Sequence, residues 1–181
     1  IGFFGAIDDT EGGATSRSNA NLQLSTTINA NSFLKNQIFY SKYAFELYSN
    51  FTFFLEDSIN GDQIRQRENR NLFGYNGSYQ RENILGHIRL QTEIGMQFRM
   101  DLSDDNELSH TADKTKIIER LALGDIREAN AGVYINETFK FSDRVSINAG
   151  LRYDHFRFAY KDQLTNDTFQ AVSDQVISPK L

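Results

Sequence analysis

The 181-residue chain lacks cysteine and tryptophan and contains a single proline. Without cysteine it has no disulfide framework, no thiolate metal site or iron–sulfur cluster, and no thiol nucleophile. One proline excludes proline-rich linkers. No stretch approaches the ~18 consecutive apolar residues of a transmembrane helix. A transmembrane β-strand, in contrast, needs only alternating apolar and polar residues.

Charge and motifs exclude further classes of protein. Twenty-four acidic side chains against 19 basic ones give a net charge of -5. Because no run of lysine or arginine is present, we predict no nucleic-acid partner. The chain has no Ser/His/Asp order, Walker loop, GxGxxG or GxSxG motif, so we predict neither an enzyme nor a cofactor. The 15 phenylalanines and 8 tyrosines argue against disorder.

Alternation with a period of two residues is the strongest pattern in the chain. From Ile84 to Met100 the even-numbered positions are apolar or small, and the odd-numbered positions are mostly polar or charged. A helix would mix these two sets around its circumference, so the segment is predicted to be one long strand. In the segment near 38–47 we assign Phe39, Tyr43 and Phe45 to the apolar face, although Ile38 interrupts the pattern. The other alternating segments lie near 20–29, 73–80, 133–141 and 145–154.

The connections between these segments alternate between short and long. This is typical of an up-and-down antiparallel meander with one tight edge and one elaborated edge. Residues 113–128 are predicted to extend a strand, although so short a run does not exclude a helix. Short turns are predicted at 30–32, 81–83 and 142–144, and long polar loops at 50–69, 101–127 and 161–175, with 1–16 as the tail of another loop.

Strand length distinguishes two all-β architectures. The predicted strands run about eleven to seventeen residues, whereas strands of soluble sandwiches average about 5–6 and a barrel strand needs about 9–11 to cross a bilayer. We therefore predict an antiparallel up-and-down transmembrane β-barrel. Bacterial barrels close with even strand numbers from about 8 upward, so about seven strands indicate a partial arc of a larger barrel.

Specific motifs near the end of the chain resemble one family. A DR turn at 143–144 leads into a strand reading GLRYD at 150–154; GVYINE precedes it at 132–137, and SPKL follows at 178–181. This order resembles the barrel of the TonB-dependent outer-membrane receptors. Residues 1–131 resemble that family only in their long aromatic strands and polar loops.

The resemblance implies a location and a function. Members form 22-stranded barrels around an N-terminal plug in the bacterial outer membrane, and they import iron-siderophores, haem, cobalamin or glycans with energy from TonB. On this basis residues 1–181 are expected to be part of one barrel domain, with the plug domain and signal peptide outside this sequence. The expected ligand is an iron-siderophore or a similar chelate. The expected partners are outer-membrane lipid and the TonB system, acting through the plug.

Five charged residues on the predicted polar face are candidate lumen-facing residues: Arg89, Glu93, Arg99, Arg152 and Asp154. Groups of this kind can hold a plug through hydrogen bonds and exchange them for water when it shifts. Alternatively they merely pair with one another and solvate the interior. Both interpretations remain open at this point.

No metal site is predicted. The three histidines have no metal-ligand spacing, and His87 is interpreted as a lumen-facing polar residue and His110 as a loop residue. The acidic run that begins at Asp101 lacks the EF-hand spacing, so a solvated loop is favoured over a calcium site.

Two alternative functions fit the same strands. One is a passive porin-like barrel without energy coupling. The other is a soluble β-sandwich that binds glycans through loop aromatics such as Phe51, Phe53 and Phe54.

Overall fold

A computed structural model describes residues 8–114 and 116–181. Within them every regular element is a β-strand, and no helix is long and apolar enough to span a membrane. The strands are β1 Gly12–Asn29, β2 Ser32–Ser49, β3 Ile64–Leu85, β4 Ile88–Ala112, β5 Lys116–Ser142, β6 Val145–Asp162 and β7 Gln170–Lys180.

The seven strands form one antiparallel sheet in chain order, β1 to β7. This confirms the predicted all-β, up-and-down architecture. Among the described residues β1 pairs only with β2 and β7 only with β6, so the sheet is an open arc. No second sheet packs against it in the described ranges, which argues against a sandwich.

Two of the three predicted short turns lie where they were expected, and the third prediction is wrong. The polar run at 81–83 belongs to β3, and the turn is formed by Gly86 and His87. A two-residue hairpin turn needs a positive φ, and Gly86 supplies it at +63°. His87 is therefore a turn residue, and the segment predicted as one strand from Ile84 is divided between β3 and β4.

The strands are longer than predicted at the opposite edge. Residues 101–112 and 116–127 belong to β4 and β5, so the predicted loop 101–127 is wrong, and the predicted strand extension within 113–128 is confirmed from Lys116 onward. These extensions escaped prediction because both of their faces carry polar residues. The first strand also begins earlier than expected, at Gly12; residues 1–7 of the predicted loop tail lie outside the described residues.

The strand register divides the sheet into two faces. Residues on the apolar face are aligned across strands, as in the row Tyr79, Ile94, Ile135 and Leu151. The apolar face comprises Leu22, Leu24, Leu34, Ile38, Tyr40, Phe73, Tyr75, Tyr79, Ile94, Met96, Phe98, Val133, Ile135, Leu151, Tyr153 and Ile177. The polar face comprises Asn21, Gln23, Gln37, Asn76, Gln80, Glu93, Gln97, Arg99, Asn136, Thr138, Asn148, Arg152, Asp154 and Ser178.

The assignment of β2 to these faces differs from the prediction. Phe39 pairs with Gly74 and lies on the polar face, together with Tyr43 and Phe45, whereas Ile38 pairs with Tyr75 on the apolar face. A Cβ atom at Gly74 would collide with the ring of Phe39, so this ring lies directly over the glycine. Aromatic residues that cover a glycine can occupy a polar face, and alternation alone does not identify them.

Burial in this sheet is the inverse of that in a soluble domain. No hydrophobic residue among those described is buried, while Asp101, Ser103 and Asp154 are each less than 9% exposed. Large apolar side chains such as Ile94 and Met96 are about half exposed. In a soluble protein the apolar face would turn towards a core, whereas here its large side chains stay exposed.

Candidate functional site

The polar face carries an ion pair on β6. The Arg152 guanidinium donates from Nε and Nη2 to the two carboxylate oxygens of Asp154, both at 2.6 Å. Asp154 is 8% exposed and lies opposite Gly132, and a Cβ atom there would meet both members of the pair. The glycine thus leaves room for a bidentate pair pressed against the strand.

Glu93 on β4 approaches this pair through a tyrosine on β5. The hydroxyl of Tyr134 donates to Oε1 of Glu93 at 2.8 Å, and the Arg152 guanidinium carbon lies 5.9 Å from the centre of the Tyr134 ring. Gly95 pairs with Tyr134, and its missing side chain leaves space for the ring. Glu93, Tyr134, Arg152 and Asp154 therefore form one cluster across three strands, named here the β4–β6 cluster.

The other two predicted site residues lie apart from the β4–β6 cluster. Arg99 donates from Nε and Nη2 to Asp101 Oδ2 at 3.0 and 2.8 Å, and Asp101 is only 4% exposed. Arg89 lies near the tight-turn edge, where its register partner is Lys140. Of the five candidates, three share one cluster, one has its own partner, and Arg89 lies beside another base.

Sequence reasoning missed Tyr134 and Asp101. Tyr134 is an aromatic residue on the polar face, where its composition alone does not place it. Tyr134 lies between Val133 and Ile135, which are both on the apolar face, so the alternation of β5 predicts that Tyr134 is on the polar face. Asp101 was assigned to a loop, although it continues the odd-numbered polar positions of β4.

Three acids of the acidic run on β4 pair with separate basic residues. Asp101 pairs with Arg99, Asp104 with Arg127, and Glu107 with Arg65 at 2.5 Å. Burial raises the pKa of Glu107, but hydrogen bonds from Ser109 and Arg65 outweigh it and keep that pKa below its usual value. Within the described ranges no group of three potential metal ligands is close enough to hold an ion. The predicted loop is thus a strand.

A buried glutamine joins three connections at the long-loop edge. Gln63 is 2% exposed, and its Nε2 donates to the Thr10 hydroxyl at 2.6 Å. Its Oε1 accepts from the Thr111 hydroxyl at 3.2 Å and from the Lys114 backbone N–H at 2.9 Å. His110, predicted in a loop, lies in β4 with Nε2 2.6 Å from the Gly61 carbonyl oxygen. These hydrogen bonds hold together the segment before β1, the connection 50–63 and the turn after β4.

The connection 50–63 is itself ordered by a carboxylate. Asp62 accepts hydrogen bonds from the backbone N–H groups of Asp57, Glu56 and Leu55, at 2.7, 3.0 and 2.9 Å. The N–H of Asp57 is the leading cause that lowers the pKa of Asp62 to about 2. This connection holds Phe51 and Ile59 exposed at its surface.

Replacing Arg152 by alanine should destabilise the barrel. It leaves the Asp154 carboxylate, whose side chain is 11% exposed, without its bidentate partner. We expect a loss of about 1–3 kcal/mol in the free energy of unfolding, measured by denaturant titration of the complete barrel in detergent. The double variant Arg152→Ala/Asp154→Asn removes the stranded charge and should regain part of that loss. Equal stability of Arg152→Ala and wild type would contradict a structural role for the pair.

Comparison with known proteins identifies the architecture. A family model described as "TonB dependent receptor-like, beta-barrel" matches residues 2–181. A search of curated proteins finds no match.

Solved structures with a similar fold are the ferric citrate transporter FecA without ligand and the ferric-catecholate import receptor Fiu of E. coli K12 in its open form. The FecA match has a TM-score of 0.76 at 16% identity and covers 91% of this chain and 24% of that one. The Fiu match has a TM-score of 0.71 at 10% identity and covers 93% and 33%.

A third similar structure is BauA, the ferric preacinetobactin receptor of Acinetobacter baumannii. It matches with a TM-score of 0.63 at 8% identity, over 90% of this chain and 27% of that one. The chain thus spans a quarter to a third of the length of these structures. The chain belongs to the TonB-dependent receptor β-barrel family, whose members are transporters of the bacterial outer membrane rather than enzymes.

Proposed function

We propose that this chain is a wall segment of an outer-membrane active-transport receptor that imports a ferric chelate with energy from TonB. The proposal rests on the burial pattern of the sheet, in which apolar side chains are exposed and the buried side chains are polar. Its apolar face suits contact with lipid, and its polar face suits a wet lumen. The structures it resembles are a ferric citrate transporter and receptors for ferric catecholates and ferric preacinetobactin.

In this proposal residues 1–181 form part of one barrel domain, and a plug from elsewhere in the same protein fills the lumen. Arg89, Glu93, Arg99, Arg152 and Asp154 face that plug. Arg152 and Asp154 already form two hydrogen bonds with each other, so they present a rigid surface to the plug. Arg89 forms no ion pair among the described residues and offers its donors to the plug or to water.

Uptake of iron tests the energy coupling. We expect cells that carry the complete receptor to accumulate radiolabelled iron from a ferric citrate or ferric catecholate complex, and deletion of TonB to abolish this uptake. A receptor gene without its plug-coding segment is the matched control, because it should admit the chelate without TonB. If the intact receptor takes up iron at the same rate without TonB, the protein is a passive pore.

A further inference from the structure

The apolar face of β6 ends next to two exposed basic residues. From Val145 to Tyr153 the residues on this face are apolar, and the next two positions are His155 and Arg157, both exposed. That apolar stretch covers about nine residues, close to the length with which a tilted strand crosses the hydrocarbon layer. Arg157 therefore lies at the edge of the apolar band, on the side of the long connections.

No carboxylate surrounds Arg157 on this face. Its direct partners are Ala129 on β5 and Ser173 on β7. Small side chains leave the guanidinium open, and Arg157 forms no ion pair among the described residues. The diagonal and same-strand neighbours on this face are Arg127, Ala131, His155, Ala159, Ala171 and Gln175.

The other bases of this region are already opposed by acids. Arg127 pairs with Asp104, and Lys161 lies directly opposite Asp125 in the register. Among the described residues, the positive charge that remains available beside the apolar stretch of β6 is therefore that of Arg157, with His155 next to it.

Neighbouring polar groups add hydrogen-bond donors. The Tyr153 hydroxyl donates to Oε1 of Gln175 at 3.0 Å, which leaves both amide hydrogens of Gln175 for another acceptor. Gln175 is the register partner of His155, and the Ser173 hydroxyl lies opposite Arg157. Donors and one unpaired guanidinium on the same face are suited to a phosphate group.

We propose that His155, Arg157, Ser173 and Gln175, together named the β6 patch, bind the phosphorylated headgroup of a membrane lipid in the leaflet on the long-connection side. Basic residues at the membrane surface attract anionic headgroups, and the adjoining apolar band holds the acyl chains of the same lipid. The site depends on the barrel crossing the membrane and is independent of the transported ligand. It differs from the β4–β6 cluster in face and in chemistry.

The test uses the complete receptor in detergent, titrated with lipid A and analysed by native mass spectrometry. We expect Arg157→Gln to reduce the affinity for lipid A about fivefold and Arg157→Lys to retain most of it. Arg81→Gln is the matched control, because Arg81 is an exposed base on the same face near the tight-turn edge, and it should leave binding unchanged. Ser173→Asp keeps the arginine but adds a carboxylate beside it, and should also weaken binding.

Three outcomes would overturn the proposal. The first is an equal effect of Arg157→Gln and Arg81→Gln, and the second is equal binding of lipid A and its dephosphorylated form. The third is full displacement of lipid A by inorganic phosphate at an equal concentration, which would indicate a site for free anions. If Arg157→Gln does not fold, the affinity for lipid A is compared between Ser173→Asp and wild type, and equal affinities would overturn the proposal.

Discussion

Replacing Met96 by arginine should lower the free energy of unfolding of the complete barrel by about 2–4 kcal/mol. Met96 lies on the apolar face near the middle of the apolar stretch of β4, and it is 52% exposed. In the membrane this exposed surface meets hydrocarbon, where a guanidinium loses its hydration and finds no partner. The measurement is reversible denaturant unfolding in lipid vesicles.

Gln97 provides the matched control for that substitution. It is the next residue of β4, at nearly the same depth, but it lies on the polar face opposite Gly132 and Asn76. Gln97→Arg should therefore cost less than about 1 kcal/mol, since the new charge reaches a hydrated lumen. If the two variants lose stability equally, or if Gln97→Arg loses more, the faces are assigned the wrong way round.

Gly95→Ala should destabilise the barrel by about 1–3 kcal/mol, the usual cost of overpacking. A Cβ atom at this position would collide with the ring of Tyr134, and moving the ring would break its hydrogen bond to Glu93. The cost thus arises from one identified contact rather than from a general intolerance of the strand. Denaturant unfolding of the complete barrel measures it.

A double-mutant cycle isolates that contact. Once Tyr134→Ala has removed the ring, adding Gly95→Ala should cost little, so the coupling energy should account for most of the 1–3 kcal/mol effect. An equal cost of Gly95→Ala with and without the ring would show that the strand backbone, not Tyr134, requires the glycine.

The parts of the fold that follow from alternation were predictable from the sequence. Over the apolar stretches of β4 and β6 one face is almost entirely apolar, because lipid contact imposes a two-residue period. In β2 the polar face accepts Phe39 over Gly74, so alternation alone gave the wrong face. That glycine lies on another strand, and its effect becomes visible only when the register is known.

Turns and strand ends were less predictable for different reasons. The turn at Gly86 depends on a backbone conformation, whereas the polar run at 81–83 only resembles a turn in composition. The acidic residues near Asp101 belong to a strand that continues beyond the apolar band, where Asp101, Asp104 and Glu107 each pair with a base on their own or a neighbouring strand. Outside the band neither face needs to be apolar, so the periodic signal disappears.

The β4–β6 cluster was partly predictable. Arg152 and Asp154 follow from their shared parity on one strand. The participation of Glu93 depends on Tyr134, which contacts residues on both neighbouring strands. Cross-strand contacts of this kind can be predicted only when the strand register is known, and the sequence alone does not give the register.

Cysteine labelling in whole cells tests most directly the central claim, which is that the long connections face the cell exterior and the tight turns face the periplasm. The chain contains no cysteine, so single cysteines can be placed at Ile59 and Asp167 in the long connections and at His87 and Asp143 in the tight turns of the otherwise unaltered receptor. A membrane-impermeant thiol reagent should label the first pair in intact cells and the second pair only after the outer membrane is opened. Labelling of His87→Cys and Asp143→Cys in intact cells, with the long connections silent, would contradict the proposed orientation.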